Sequence, residues 1–180
     1  MYNSRRSITL DGIMKNYILR YGIAGGLISI VLGILNWFTV AQWFGPIPSQ
    51  TVGWLSIILS LMCIPLGMKY FRDKLNDGSV GFGEGLKIGL GITAVVSVLM
   101  YFYSALFFLF QGEEFVEWTK RGLSTAELAA YEQQIAQSPA WVYTPWVQAL
   151  LLCISIFVIG LVISVVSALL LKSSGIGEEV

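Results

Sequence analysis

Charged side chains disappear from three long stretches of this chain. No Asp, Glu, Lys or Arg occurs from Tyr21 to Met68, from Ile88 to Gly112, or from Gln133 to Leu171. A hydrocarbon core about 30 Å thick is crossed by roughly 20 apolar residues in an α-helix, the one single segment that satisfies every backbone N–H and C=O without water. The first stretch is too long for one crossing. Phe44-Gly45-Pro46-Ile47-Pro48-Ser49-Gln50-Thr51 divides it, since two prolines and a glycine cannot continue a helix interior. The pattern therefore predicts an all-α integral membrane four-helix bundle built from two helical hairpins, with helices at about residues 21–43, 52–68, 86–110 and 143–171. These form one domain, 15–172, between an N-terminal tail, 1–14, and a C-terminal tail, 173–180.

The first helix carries ten Leu, Ile, Val and Phe residues, which at some −0.3 to −0.6 kcal/mol each favour insertion by roughly 3 to 6 kcal/mol. Its apolar run is longer than a signal-peptide core and has no small-residue cleavage site, so it is expected to remain as an anchor. The second is short, roughly 26 Å, and has Pro65 near its end. Residues 111–139 form the one sizeable polar segment, and its signals are helical. Ser124-Thr125-Ala126-Glu127 fits a capping box, and Leu128, Tyr131 and Ile135 share a face at helical spacing, so a short amphipathic helix along the membrane surface is expected. Upstream, Glu117 and Arg121 sit four apart, and Gly122 is placed to stop a first short helix.

Composition agrees with the pattern and charge adds direction. Only 12% of residues are charged and 56% are hydrophobic, too few polar groups to clothe a water-facing surface. Of the 11 basic residues, nine (Arg5, Arg6, Lys15, Arg20, Lys69, Arg72, Lys74, Lys87 and Lys172) fall on one side of a four-helix threading, and Lys120 and Arg121 on the other. Positive loops stay inside, so both termini are expected in the cytoplasm. Trp43, Trp54, Trp141 and Trp146 then flank the outer helix ends, and Tyr17, Tyr21 and Tyr70 the inner ones. A faint echo between Leu19-Arg20-Tyr21-Gly22 and Leu86-Lys87-Ile88-Gly89 fits a parallel repeat of two hairpins. It fits equally the need of any inside-starting helix for a basic residue before an apolar run.

Candidate chemistry is sparse. Gly81-Phe82-Gly83-Glu84-Gly85-Leu86-Lys87-Ile88-Gly89 has the look of a phosphate loop but lacks the preceding strand, and its Gly-Lys pair is not followed by Ser or Thr. Helix packing accounts for it better. Gly81, Gly85, Gly89, Thr93 and Ser97 recur every four residues as a small-residue seam, and Gly25, Ser29 and Gly33, then Gly160, Ser164 and Ala168, form two more. Lipid tails are as apolar as leucine, so close backbone approach and hydrogen bonds hold such helices together. No ionisable residue lies in the apolar cores. Asn36 is the nearest to one, an amide that bonds a neighbouring helix or, less simply, a substrate. Histidine is absent, which removes the commonest metal ligand and general base. Cys63 and Cys153 lie singly in apolar runs and read as packing residues, and no cofactor or nucleic-acid partner is implied.

From Met14 onward the chain resembles the small four-helix bacterial membrane proteins grouped as domain of unknown function 4199. The resemblance is carried by Lys15-Asn16-Tyr17-Ile18-Leu19-Arg20-Tyr21-Gly22, Lys69-Tyr70-Phe71-Arg72-Asp73, the Gly81–Gly89 segment and Leu123-Ser124-Thr125-Ala126-Glu127. It covers about residues 14–172. It implies this topology and a bacterial inner-membrane setting, but no activity and no catalytic residues. Residues 1–13 lie outside it, which makes Met14 a candidate start. The leading expectation is a non-enzymatic protein acting by helix–helix association, as a homo-oligomer or as an accessory subunit bound to another membrane protein, with the seams as contacts. The alternative is a small oligomeric transporter or channel in which Asn36, Thr93 and Ser97 line a path.

Overall fold

The computed structural model describes the backbone of residues 2–172 and side chains from Met14 onward; the expected tail 173–180 lies outside the described residues. The fold is all-α. Its helices are α1 (Tyr2–Phe38), α2 (Val40–Phe44), α3 (Pro46–Leu61), α4 (Cys63–Leu75), α5 (Phe82–Arg121), α6 (Thr125–Gln137) and α7 (Pro145–Leu171), with a 3-10 turn at Ala140–Tyr143 before α7. They make four membrane-length apolar segments: Met14–Phe44, Pro46–Leu75, Phe82–Arg121 and Pro145–Leu171.

The first hairpin turns on a single residue. Gly45 adopts φ +82°, a conformation that side chains resist, and Pro46 starts α3 directly behind it. The two prolines read as breakers thus sit in the first turn of the second span, where a missing N–H costs nothing. The same span changes register at Met62, between α3 and α4, because Pro65 has no N–H to give the Leu61 carbonyl. The first span is similarly interrupted at Thr39, whose hydroxyl bonds the Leu35 carbonyl at 2.6 Å.

Several expected boundaries differ, among them those of the second span, which runs Pro46–Leu75 where 52–68 was expected. α1 begins at Tyr2, so the segment taken as a tail is mostly helix, with no proline to stop it. α5 continues past Phe110 to Arg121 and absorbs the first of the two short helices expected in the polar segment. No proline stands between, and the single Gly112 costs a helix only about 1 kcal/mol. Gly122 does end this helix, and it lies so close under Pro46 that a Cβ would come within 2.7 Å of that ring. α6 is the amphipathic helix expected. Ser124 and Glu127 form its capping box, with the Glu127 carboxylate accepting from the Ser124 N–H at 2.8 Å.

α5 is the centre of the bundle, packing against α7, α1 and α4, while α1 also packs on α3 and α4. Leu61, Ile64, Met68, Ile92, Val96 and Ile156 are wholly buried in the shared core. Around it, Leu27, Leu35, Phe102, Leu106, Val158 and Leu170 are among the many large apolar side chains left exposed. Water would penalise such a surface and lipid does not. This is a multi-pass membrane protein.

Candidate functional site

The small-residue seams of α5 and α7 mesh with each other. Gly85 lies against Ala168, Gly89 against Ser164, and Gly160 against Thr93, each step of four along α5 matching a step of four back along α7. Thr93 Oγ1 donates to the Gly89 carbonyl at 2.8 Å, Ser164 Oγ donates to the Gly160 carbonyl at 2.6 Å, and the two hydroxyls lie 3.3 Å apart. Both residues are fully buried. On α1, Gly25 packs on the Ser60 carbonyl and Val96, Ser29 accepts from Ser60 Oγ at 3.3 Å, and Gly33 faces the Tyr103 hydroxyl. Gly81 stands apart from its expected seam: its N–H donates to the Glu84 carboxylate at 3.2 Å, capping α5. The seams are therefore consumed inside one chain and are not open to a second.

Where α1, α3 and α5 diverge, near the acidic end of the bundle, they leave a cavity of about 260 Å³. Its walls run from Ser29 and Met100, deep in the bundle, to Trp37, Phe115 and Trp118. Along α1 the distance from Ser29 to Asn36 is about 10 Å. Rings dominate the upper half. Trp37 meets Phe107 edge-on at 5.1 Å between centroids and Trp118 at 5.5 Å, geometries in which the positive edge of one ring meets the negative face of another. Trp118, at 5% exposure, also donates from Nε1 to the Ala41 carbonyl at 2.9 Å, so the aqueous extension of α5 is tied back to the top of the first span.

Three polar side chains matter here. Asn36 Nδ2 donates to both the carbonyl and the hydroxyl of Ser49, each at 3.0 Å, bonding the first span to the second. A carbonyl oxygen can only accept, so this pair fixes which end of the amide faces Ser49 and leaves Asn36 Oδ1 turned elsewhere. That atom is buried and has no hydrogen-bond partner, and neither has Ser104 Oγ on the α5 wall, on a residue only 2% exposed. Each orphaned group of this kind costs about 1–3 kcal/mol until something bonds it. Ser97 Oγ is likewise unpartnered, but Ser97 is not among the residues lining the cavity. Thr93 does not line it either.

Beyond the cavity, under α6, lies a wider space of about 920 Å³ whose walls include Glu113, Glu117, Tyr131 and Gln148. Gln50, Phe108 and Phe115 belong to the walls of both spaces. Glu117 is held by Lys120 at 2.9 Å. Of these residues the sequence flagged only Asn36 as intramembrane chemistry. Ser104 could have been found as the one serine in an aromatic-rich run, whereas Trp118 stands in a segment that reads as polar, with nothing local to predict its burial.

No curated protein and no solved structure matches this chain. It does match, over residues 20–173, the family described as protein of unknown function (DUF4199), and it belongs to that family.

Proposed function

We propose that this is a non-enzymatic protein of a bacterial inner membrane, with both ends in the cytoplasm, whose task is to hold a small lipophilic molecule in the cavity between α1, α3 and α5. One observation carries the reading: an aromatic-lined cavity within the bundle, with Asn36, Gln50, Tyr103 and Ser104 among its otherwise mostly apolar walls. A pocket with apolar walls and a few polar side chains is the usual form of a ligand site. The orientation rests on the nine-to-two division of basic residues. The seams give no support to the association reading, because α5 and α7 fill each other; a second copy or another membrane protein would have to meet the lipid-facing side chains instead.

Purification in native-lipid discs, solvent extraction and mass spectrometry test this. Gly53 lines the cavity, and a Cβ there would meet only Asn36 Nδ2, at 3.7 Å, so Gly53→Leu should fill the space without breaking a helix contact. A compound recovered in near-stoichiometric amount from the wild type and lost from folded Gly53→Leu supports the proposal. Identical extracts from the two would overturn it.

A further inference from the structure

We infer that the aromatic cavity and the wider space under α6 take one molecule between them, a cationic amphiphile whose apolar chain lies in the cavity and whose ammonium head stands beside Glu113. The inference rests on the reading of the cavity as a ligand site and adds the class of ligand.

The two spaces adjoin. Gln50, Phe108 and Phe115 are walls of both, so the spaces meet at these three side chains. Along α5 the rise from Met100, deep in the cavity, to Glu113, in the wider space, is about 20 Å. The chains of one lipid leaflet fill about half of a 30 Å core, roughly 15 Å. A single chain therefore runs the length of the cavity and leaves its head at the acidic end. Both spaces are open on one side, so this length describes a path and sets no limit on what else the molecule carries.

Charge selects the head. No Lys or Arg lines either space, whereas Glu113 and Glu117 line the wider one. Lys120 holds Glu117 at 2.9 Å, while Glu113 is exposed and has no ion-pair or hydrogen-bond partner among the described residues. Around them, residues 111–139 carry five Glu against Lys120 and Arg121. A carboxylate or phosphate head would meet like charge here, and an ammonium meets its opposite. Phe108, Phe115, Tyr131 and Tyr143 line the same space, and the faces of such rings attract an ammonium as well. Gln50 and Tyr103, the first at the junction and the second within the cavity, both give and accept hydrogen bonds. They bond a hydroxyl, a carbonyl or an amine with equal ease and do not discriminate among them, which leaves the choice to Glu113.

The test uses dodecylamine, an ammonium at neutral pH, and dodecanol, which share the chain and differ in the head. Each is added at the same mole fraction to the intact protein in phosphatidylcholine discs, and thermal unfolding is followed, because a ligand that binds only the folded state raises the midpoint. We expect the amine to bind about fivefold more tightly than the alcohol, the ratio of an ion pair at a solvated rim. Glu113→Gln, at an exposed and unbonded position, should bring the two probes level. Gly53→Leu, which fills the cavity, should abolish the shift from both. Equal shifts on the wild type would overturn the cationic head while leaving the cavity a ligand site. An amine preference that survived Glu113→Gln would overturn it too, since the charge would then be read elsewhere. An amine shift that survived Gly53→Leu would overturn the placement of the chain. No shift from either probe would overturn the whole inference, and the ligand-site reading would still be decided separately, by the extracts of wild type and Gly53→Leu. The wild-type comparison of the two probes holds even where a variant fails to fold.

Discussion

Gly160 lies so close to Thr93 that a Cβ built on the glycine would come within 2.7 Å of Thr93 Oγ1 and closer still to its methyl group. Both helices run unbroken through this point, so neither can step aside without disturbing the packing on either side. Gly160→Val should therefore destabilise the bundle by about 1–3 kcal/mol, the usual cost of overpacking. Gly83, which has nothing within 4 Å of its would-be Cβ, makes the control. Gly83→Ala should be neutral or slightly stabilising, by up to about 1 kcal/mol. Denaturant titration in mixed micelles would measure both, and equal effects would show that the seam is not tight.

That contact was half legible in the residues. Two ladders of small side chains at four-residue spacing announce close helix approach, yet spacing alone cannot say that each is the other's partner. The four spans were legible because charge is so costly in lipid that its absence marks them. Their ends were less so. Gly45, Pro46 and Pro48 read as a wide break, whereas only Gly45 leaves the helix, since proline is harmless in a first turn. The cavity could not be read at all. It lies between α1, α3 and α5, and Ser49, Ser104 and Trp118 line it together through tertiary packing and through no local signal.

Asn36 and Ser49 should be energetically coupled. Asn36→Leu makes the first span more apolar and on hydropathy alone would improve insertion, but it removes two bonds to the second span. Interhelical hydrogen bonds in membranes are worth about 0.6 kcal/mol on average and up to roughly 1.7. A double-mutant cycle with Asn36→Leu and Ser49→Ala should return a coupling in that range. Strict additivity would mean that the bond to the Ser49 hydroxyl contributes nothing, since the bond to the Ser49 carbonyl survives Ser49→Ala and lies outside the cycle.

Orientation is open to direct labelling. Gly83 and Gln133 are both exposed and lie at opposite ends of the bundle, the first before α5 enters it and the second on α6. With Cys63 and Cys153 replaced by alanine, a cysteine at position 133 should react with a membrane-impermeant maleimide on intact cells. A cysteine at position 83 should react only after lysis. The reverse pattern would invert the proposed topology.

The capping box of α6 should titrate. Glu127 accepts from the Ser124 hydroxyl at 2.7 Å and from the Ser124 N–H at 2.8 Å. These bonds, the hydroxyl's first, favour the charged carboxylate and hold its pKa below the ordinary value of 4.5. With the folded value the lower of the two, the stabilisation is fully present above 4.5, and it fades as pH falls through the folded value. Protection against amide exchange at Glu127 and Leu128, whose N–H groups bond Ser124, should therefore fall in that acid window, so that exchange slows less on acidification than base catalysis alone dictates. Glu127→Gln keeps an acceptor but cannot ionise, so its exchange should lose this acid-dependent step while the helix persists. Glu127→Ala should fray the first turn at every pH. A wild-type profile indistinguishable from that of Glu127→Gln would mean that the carboxylate charge plays no part in starting α6.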